Sequence, residues 1–109
     1  MKIPTKIKIG GHIFDIHKED RGKNGVDGKL GSCNAAQNTI WLDTNQPQTQ
    51  LENTLLHEII EAINWQQQLE LDHKTISQLD NALYQVLRDN DLLEGKAEKR
   101  SKILRSKAG

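Results

Sequence analysis

Apolar residues along this chain change their spacing near residue 48. Before it, Ile7 and Ile9 alternate with Lys6 and Lys8, Gly10-Gly11 interrupts, and Ile13, Phe14 and Ile16 resume. That pattern predicts a β-hairpin over residues 5–17 with a two-glycine turn. Residues 18–28 (KEDRGKNGVDG) are charged and glycine-rich and predict a loop. Residues 29–43 predict a second strand pair. Thr39-Ile40-Trp41-Leu42 is its clearest strand, and Gln37-Asn38 turns into it.

From Gln48 the spacing becomes helical. Leu51, Leu55, Leu56, Ile59, Ile60, Ala62 and Ile63 make one broad stripe, which predicts a helix from about Gln48 to Gln67. Pro47 suits its first turn. At about 100° per residue, Thr54, His57, Glu61 and Asn64 lie opposite that stripe, with Glu58 at its border. After a short connection, Ile76, Leu79, Leu83, Val86 and Leu87 predict a second helix, from His73 or Thr75 to Asn90. Its cap is either Asp72 or a Thr75-x-x-Gln78 box. His73, Ser77, Asp80 and Tyr84 share a neighbouring face of it. So short a connection makes the helices antiparallel or steeply crossed neighbours. The fold class expected is α+β: a small antiparallel sheet, of about three strands or slightly more, packed against two helices.

Composition narrows the class of protein. The chain has 109 residues, enough for one domain, with 35% hydrophobic and 28% charged residues. No apolar run approaches the roughly 20 residues of a membrane span, and MKIPTKIKIGG has no apolar signal core. The expected location is therefore the cytoplasm, with no membrane partner. Formal net charge is zero, but residues 93–109 hold six basic and two acidic residues. The expectation is a domain over residues 1–92 followed by a flexible basic tail. A tail of this kind also suits contact with nucleic acid or an acidic partner.

One cysteine, Cys33, excludes an internal disulfide and a cysteine-rich zinc site, and it reads as a small half-buried hydrophobe. A metal here must be held by histidine and carboxylate, a donor set that suits a site with an open position. The segment LLHEIIEAINWQQQLELDH supplies such donors. His57 and Glu61 are four apart, one turn apart on the same helix face. His73 lies past the chain reversal, which can bring it over that pair. Two imidazoles and one carboxylate would hold zinc, or another divalent transition metal, and leave one position for water. Zinc acidifies such water toward a pKa of about 7. Glu58, adjacent to a ligand, is placed to act as general base. The same residues also fit the solvated face of an ordinary amphipathic helix. Tyr84 is a further candidate, as a donor to an oxyanion, and Asp80 as a partner orienting His73. Trp41 and Trp65 read as core anchors.

The chain resembles small phage-encoded minimal gluzincin-like proteins, related to the immunity-region (ImmA/IrrE-type) metallopeptidases. The resemblance covers about residues 3–92. It rests on IPTKIKIGGHIFDI, NTIWLD before a proline, TLLHEIIEAIN and LDNALYQVLRDND. Such families carry His-Glu-x-x-His on the first helix and a glutamate on the second. Here Glu61 stands in place of the second histidine, and His73 stands about where the downstream glutamate would be. The ligand composition is kept while its order is exchanged. The resemblance implies a zincin-like minimal core in the cytoplasm of a phage host. It also implies an edge strand that pairs with an extended peptide, for which residues 38–43 are the candidate.

The leading expectation is thus a zinc-binding, metallopeptidase-like protein that binds or hydrolyses peptides through a metal-activated water, with Glu58 as base. One alternative is a non-catalytic, metal-stabilised phage protein that binds a regulator. Another is a nucleic-acid-associated protein using its basic tail.

Overall fold

The computed structural model describes residues 1–20 and 29–93. Strand β1 (Lys6–Ile9) and strand β2 (His12–Glu19) form the expected hairpin. Gly10 and Gly11 both take positive φ, +60° and +83°, as the tight turn requires. A side chain at Gly10 would also collide with the Gln66 amide, whose Nε2 donates to Ile9 O at 2.9 Å. Strand β3 (Gly31–Asn34), a 3-10 turn over Ala35–Gln37 and strand β4 (Thr39–Asp43) follow. Asn38 reverses the chain between them in the left-handed region, at φ 53°.

The sheet order is β1-β2-β4-β3. Both hairpins are antiparallel, but β2 and β4 run parallel, so the four-stranded sheet is mixed. This pairing corrects three expectations. The sheet is not antiparallel throughout, because β4 returns beside β2 in the same direction. Lys18 and Glu19 belong to β2, opposite Leu42 and Asp43, and not to the loop predicted from residue 18. Residues 38–43 are not an edge: β4 is paired on both sides, and the edge on that side is β3. Apolar content explains the placement. Ile40 and Leu42 of β4 are fully buried, which suits a central strand, whereas Gly-Ser-Cys-Asn can tolerate an open edge.

Phe14, Ile16, Ile40 and Leu42 point from one sheet face onto Leu51, Leu55 and Ala62 of helix α1 (Gln48–Gln67). This is the core. The opposite face of the sheet carries Trp41 stacked on its register partner His17, ring centroids 4.4 Å apart, so Trp41 is not a core anchor. Helix α2 (His73–Asp89) packs on α1 and contributes Ile76 as its fully buried apolar residue. Leu79, Leu83 and Val86 stay exposed.

The architecture is the expected α+β arrangement of a small sheet and two helices. Among the described residues, no helix is long and apolar enough to cross a membrane. The predicted flexible tail lies, from residue 94, outside the described residues.

Candidate metal centre

Helix α1 presents His57 and Glu61 one turn apart, and the reversal after Gln67 decides what comes to face them. Gln68 caps the helix in the left-handed conformation, at φ 53°. The Asn64 side chain then holds the connection at both polar groups of one residue. Its Oδ1 accepts from Leu71 N at 3.0 Å, and its Nδ2 donates to Leu71 O at 3.3 Å. Asp72 caps α2, its Oδ1 accepting from Thr75 N at 2.8 Å. His73 is the first residue of α2, so this clamp and cap together fix where its ring begins.

His73 arrives over the pair. Its Nδ1 is 4.0 Å from Glu61 Oε2, and His57 Nε2 is 3.6 Å from the same oxygen. The two imidazole centroids are 4.9 Å apart, edge to face. One donor atom from each of the three residues lies within 4.8 Å of the others. Donors about 2.0–2.2 Å from a tetrahedral zinc sit about 3.3 Å from each other. The observed triangle is slightly wider than that. His73, with a side chain 77% exposed, is the member free to close it.

The His57 ring is fixed in orientation. Its Nδ1 makes a short hydrogen bond to Asp80 Oδ2 of α2, and Asp80 is itself buried. A carboxylate on Nδ1 favours the tautomer with its proton on that nitrogen, which turns Nε2, the nitrogen facing Glu61, toward a metal. Asp80 therefore orients His57 rather than His73. Asn53 buttresses the pair: turned about its last torsion, its amide nitrogen lies 3.1 Å from Asp80 Oδ1.

Glu58 is buried, at 6% exposure, in the wall between α1 and β3. Its side chain makes no hydrogen bond among the described residues. A Cβ at Gly31 would lie 2.7 Å from Thr54 Cγ2 and 3.2 Å from Glu58 Oε2, so glycine lets β3 lie close against this stretch of α1. Burial pushes the Glu58 carboxyl up to about 7. Glu61 and Asp80 push the same way, while His57 and Lys29 oppose. A carboxyl near 7 is matched to moving protons at neutral pH. Burial, with Glu58 and Glu61 nearby, likewise pushes the Cys33 thiol up to about 12, so Cys33 stays a neutral thiol in the cleft wall.

These groups line one open cleft of about 780 Å³ between β3 and the two helices. Two expectations about it are corrected. Tyr84 is not in this cleft; its hydroxyl donates to Glu52 Oε1 at 2.7 Å, and it lines a smaller cavity with Leu56 and Leu87. Trp65 is not a core anchor; it lines the cleft at 59% exposure. The sequence carried a signal for Trp65: it stands four residues past Glu61, on the same helix face.

No family model, curated protein or solved structure matches this chain.

Proposed function

We propose that this protein binds one divalent metal ion, zinc by preference, through His57, Glu61 and His73, and acts on extended peptides as a minimal metallopeptidase-like hydrolase in the cytoplasm. The observation that carries the reading is the convergence of the three donors, with the His57 lone pair already aimed by Asp80. Two imidazoles and one carboxylate are the donor set of many catalytic zinc sites. The exchanged ligand order is consistent with a variant of the gluzincin pattern that the sequence resembles.

A bound ion would supply a Lewis acid for a carbonyl oxygen and would acidify a water. The chain supplies the rest. Glu58, beside the donors but not among them, takes a proton from the attacking water and returns it to the leaving amine. Its burial keeps competing solvent from the carboxylate. The outer edge of β3, unpaired among the described residues, offers backbone groups to a peptide that adds as a further strand.

A second reading is favoured by the exposed Leu79, Leu83 and Val86 of α2, which suit a protein partner. On that reading the metal stabilises an interaction protein of phage origin and no bond is cleaved. One experiment separates the two. Purified protein is expected to hold about one zinc per chain. Glu58→Gln should keep the zinc and lose hydrolysis of a casein or quenched-peptide substrate. Wild-type protein that is zinc-loaded but cleaves neither leaves the interaction reading standing, and protein that takes up no zinc overturns both.

A further inference from the structure

Resting on the peptide-binding reading above, we infer that Trp65 is the specificity-determining residue of the cleft: it receives a large apolar side chain on the amino-terminal side of the reacting carbonyl.

The indole is the most exposed large apolar side chain among the described residues, at 59%. It lies on the cleft and not on an outer face. Four residues past Glu61, it stands one turn further along α1, about 6 Å of helix rise beyond the metal donors. An aromatic face left open one turn from a reacting centre is placed for a side chain and not for the main chain.

The strand direction decides which side chain. Gly31 lies beside Thr54 and Glu58. Cys33 lies where it feels the charges of Glu58 and Glu61. Ala35, at the far end, shares the cleft with Trp65. Strand β3 therefore runs in the same direction as α1. A peptide added antiparallel to β3, the more stable pairing, runs the opposite way. Its amino-terminal residues meet the Trp65 end, and its carboxyl-terminal residues meet the Gly31 end. The lining differs accordingly. The Trp65 end offers an open indole, while the Gly31 end offers Lys29, Gln50 and Asn53, with Leu30 as its half-buried apolar residue. The exposed aromatic face, and with it selection for a large apolar side chain, thus lies on the amino-terminal side.

Acyl-amino-acid hydroxamates test this, because the hydroxamate seats on zinc and the side chain lies on its amino-terminal side. Calorimetry on zinc-loaded protein should give acetyl-phenylalanine hydroxamate about tenfold tighter binding than acetyl-alanine hydroxamate, as expected for an aromatic pair with its buried area. Trp65→Ala should bring the ratio close to one, and Trp65→Phe should restore much of it. Zinc content and far-UV circular dichroism should stay unchanged in both variants, since the side chain is largely outside the core. Mercaptoacetyl-phenylalanine amide, whose side chain lies on the carboxyl-terminal side, should gain nothing from Trp65. A wild-type ratio near one, a ratio that survives Trp65→Ala, tightest binding by acetyl-arginine hydroxamate, or a Trp65 effect only on the mercaptoacetyl compound each overturns the assignment while leaving the metal site intact. Protein that binds no zinc overturns the functional reading and this assignment with it.

Discussion

Glu58 and Asp80 are two buried carboxylates of the same cleft with opposite situations. Asp80 has a hydrogen-bond partner in His57, whereas Glu58 is raised to about 7, mainly by burial. A carboxyl whose folded value lies above its unfolded one, about 4.3, binds protons more tightly in the folded protein. Its penalty is absent below that unfolded value, grows as pH rises and is complete above pH 7. Over that span it amounts to roughly 4 kcal/mol. In zinc-free protein, Glu58→Gln is therefore expected to raise the melting temperature at pH 8 and leave it unchanged near pH 4. Melting curves with chelator across that range check it, and a variant no more stable at pH 8 than wild type refutes it. For Asp80 the expected cost falls on metal affinity. Removing the carboxylate that orients His57 should weaken zinc binding about 10- to 100-fold in Asp80→Ala, with Asp80→Asn between it and wild type. Competition against a chromophoric chelator measures it.

The connection between the helices does the positioning at the scale of elements. Asn64 replaces the connection's missing backbone partners with two side-chain hydrogen bonds to Leu71, and only then does Asp72 cap α2. Each such bond contributes about 1 kcal/mol net. Asn64→Ala should cost roughly 2 kcal/mol in urea denaturation, and it should also weaken zinc binding, although Asn64 is not a donor. A variant that loses stability with unchanged zinc affinity would show that His73 is not placed through this clamp. This level was the least legible in the sequence. The helical stripe gave α1 its bounds, and the turn spacing paired His57 with Glu61, because both follow from a period within one element. The Asn64 clamp, the parallel β2–β4 pair and the edge position of β3 depend on where the chain returns from afar, and no local period encodes that. Asp80 and Trp65 show the same division. Asp80 was placed on its helix face and Trp65 was read as a core anchor, and the surroundings of each were fixed only when the faces met: His57 for Asp80, the open cleft for Trp65.

In the whole molecule α2 brings little fully buried apolar surface to the helix pair. Ile76 is the one apolar residue of α2 that is fully buried among the described residues, while Leu79, Leu83 and Val86 remain exposed. Beyond the half-buried Leu56 and Leu87 beside a small cavity, the junction carries polar contacts: Asp80 on His57 and Tyr84 on Glu52. Two of the three donors sit on α1 and one on α2, so a bound ion would cross-link the two helices across this junction. A ligand that binds only the folded state stabilises it by about 2.7 kcal/mol at 100 times its dissociation constant. For a domain of this size that is a rise of roughly 10–20 °C in melting temperature. Adding zinc to chelator-stripped protein should give that rise, and His57→Ala or His73→Ala should remove it. His12→Ala should leave it in place, since His12 begins β2 and lies outside the donor cluster. Differential scanning calorimetry at fixed free zinc distinguishes these outcomes. If His73→Ala retains the full rise, the exposed imidazole is not a ligand and the ion would be held by α1 alone, without the cross-link between helices that makes the cleft a site.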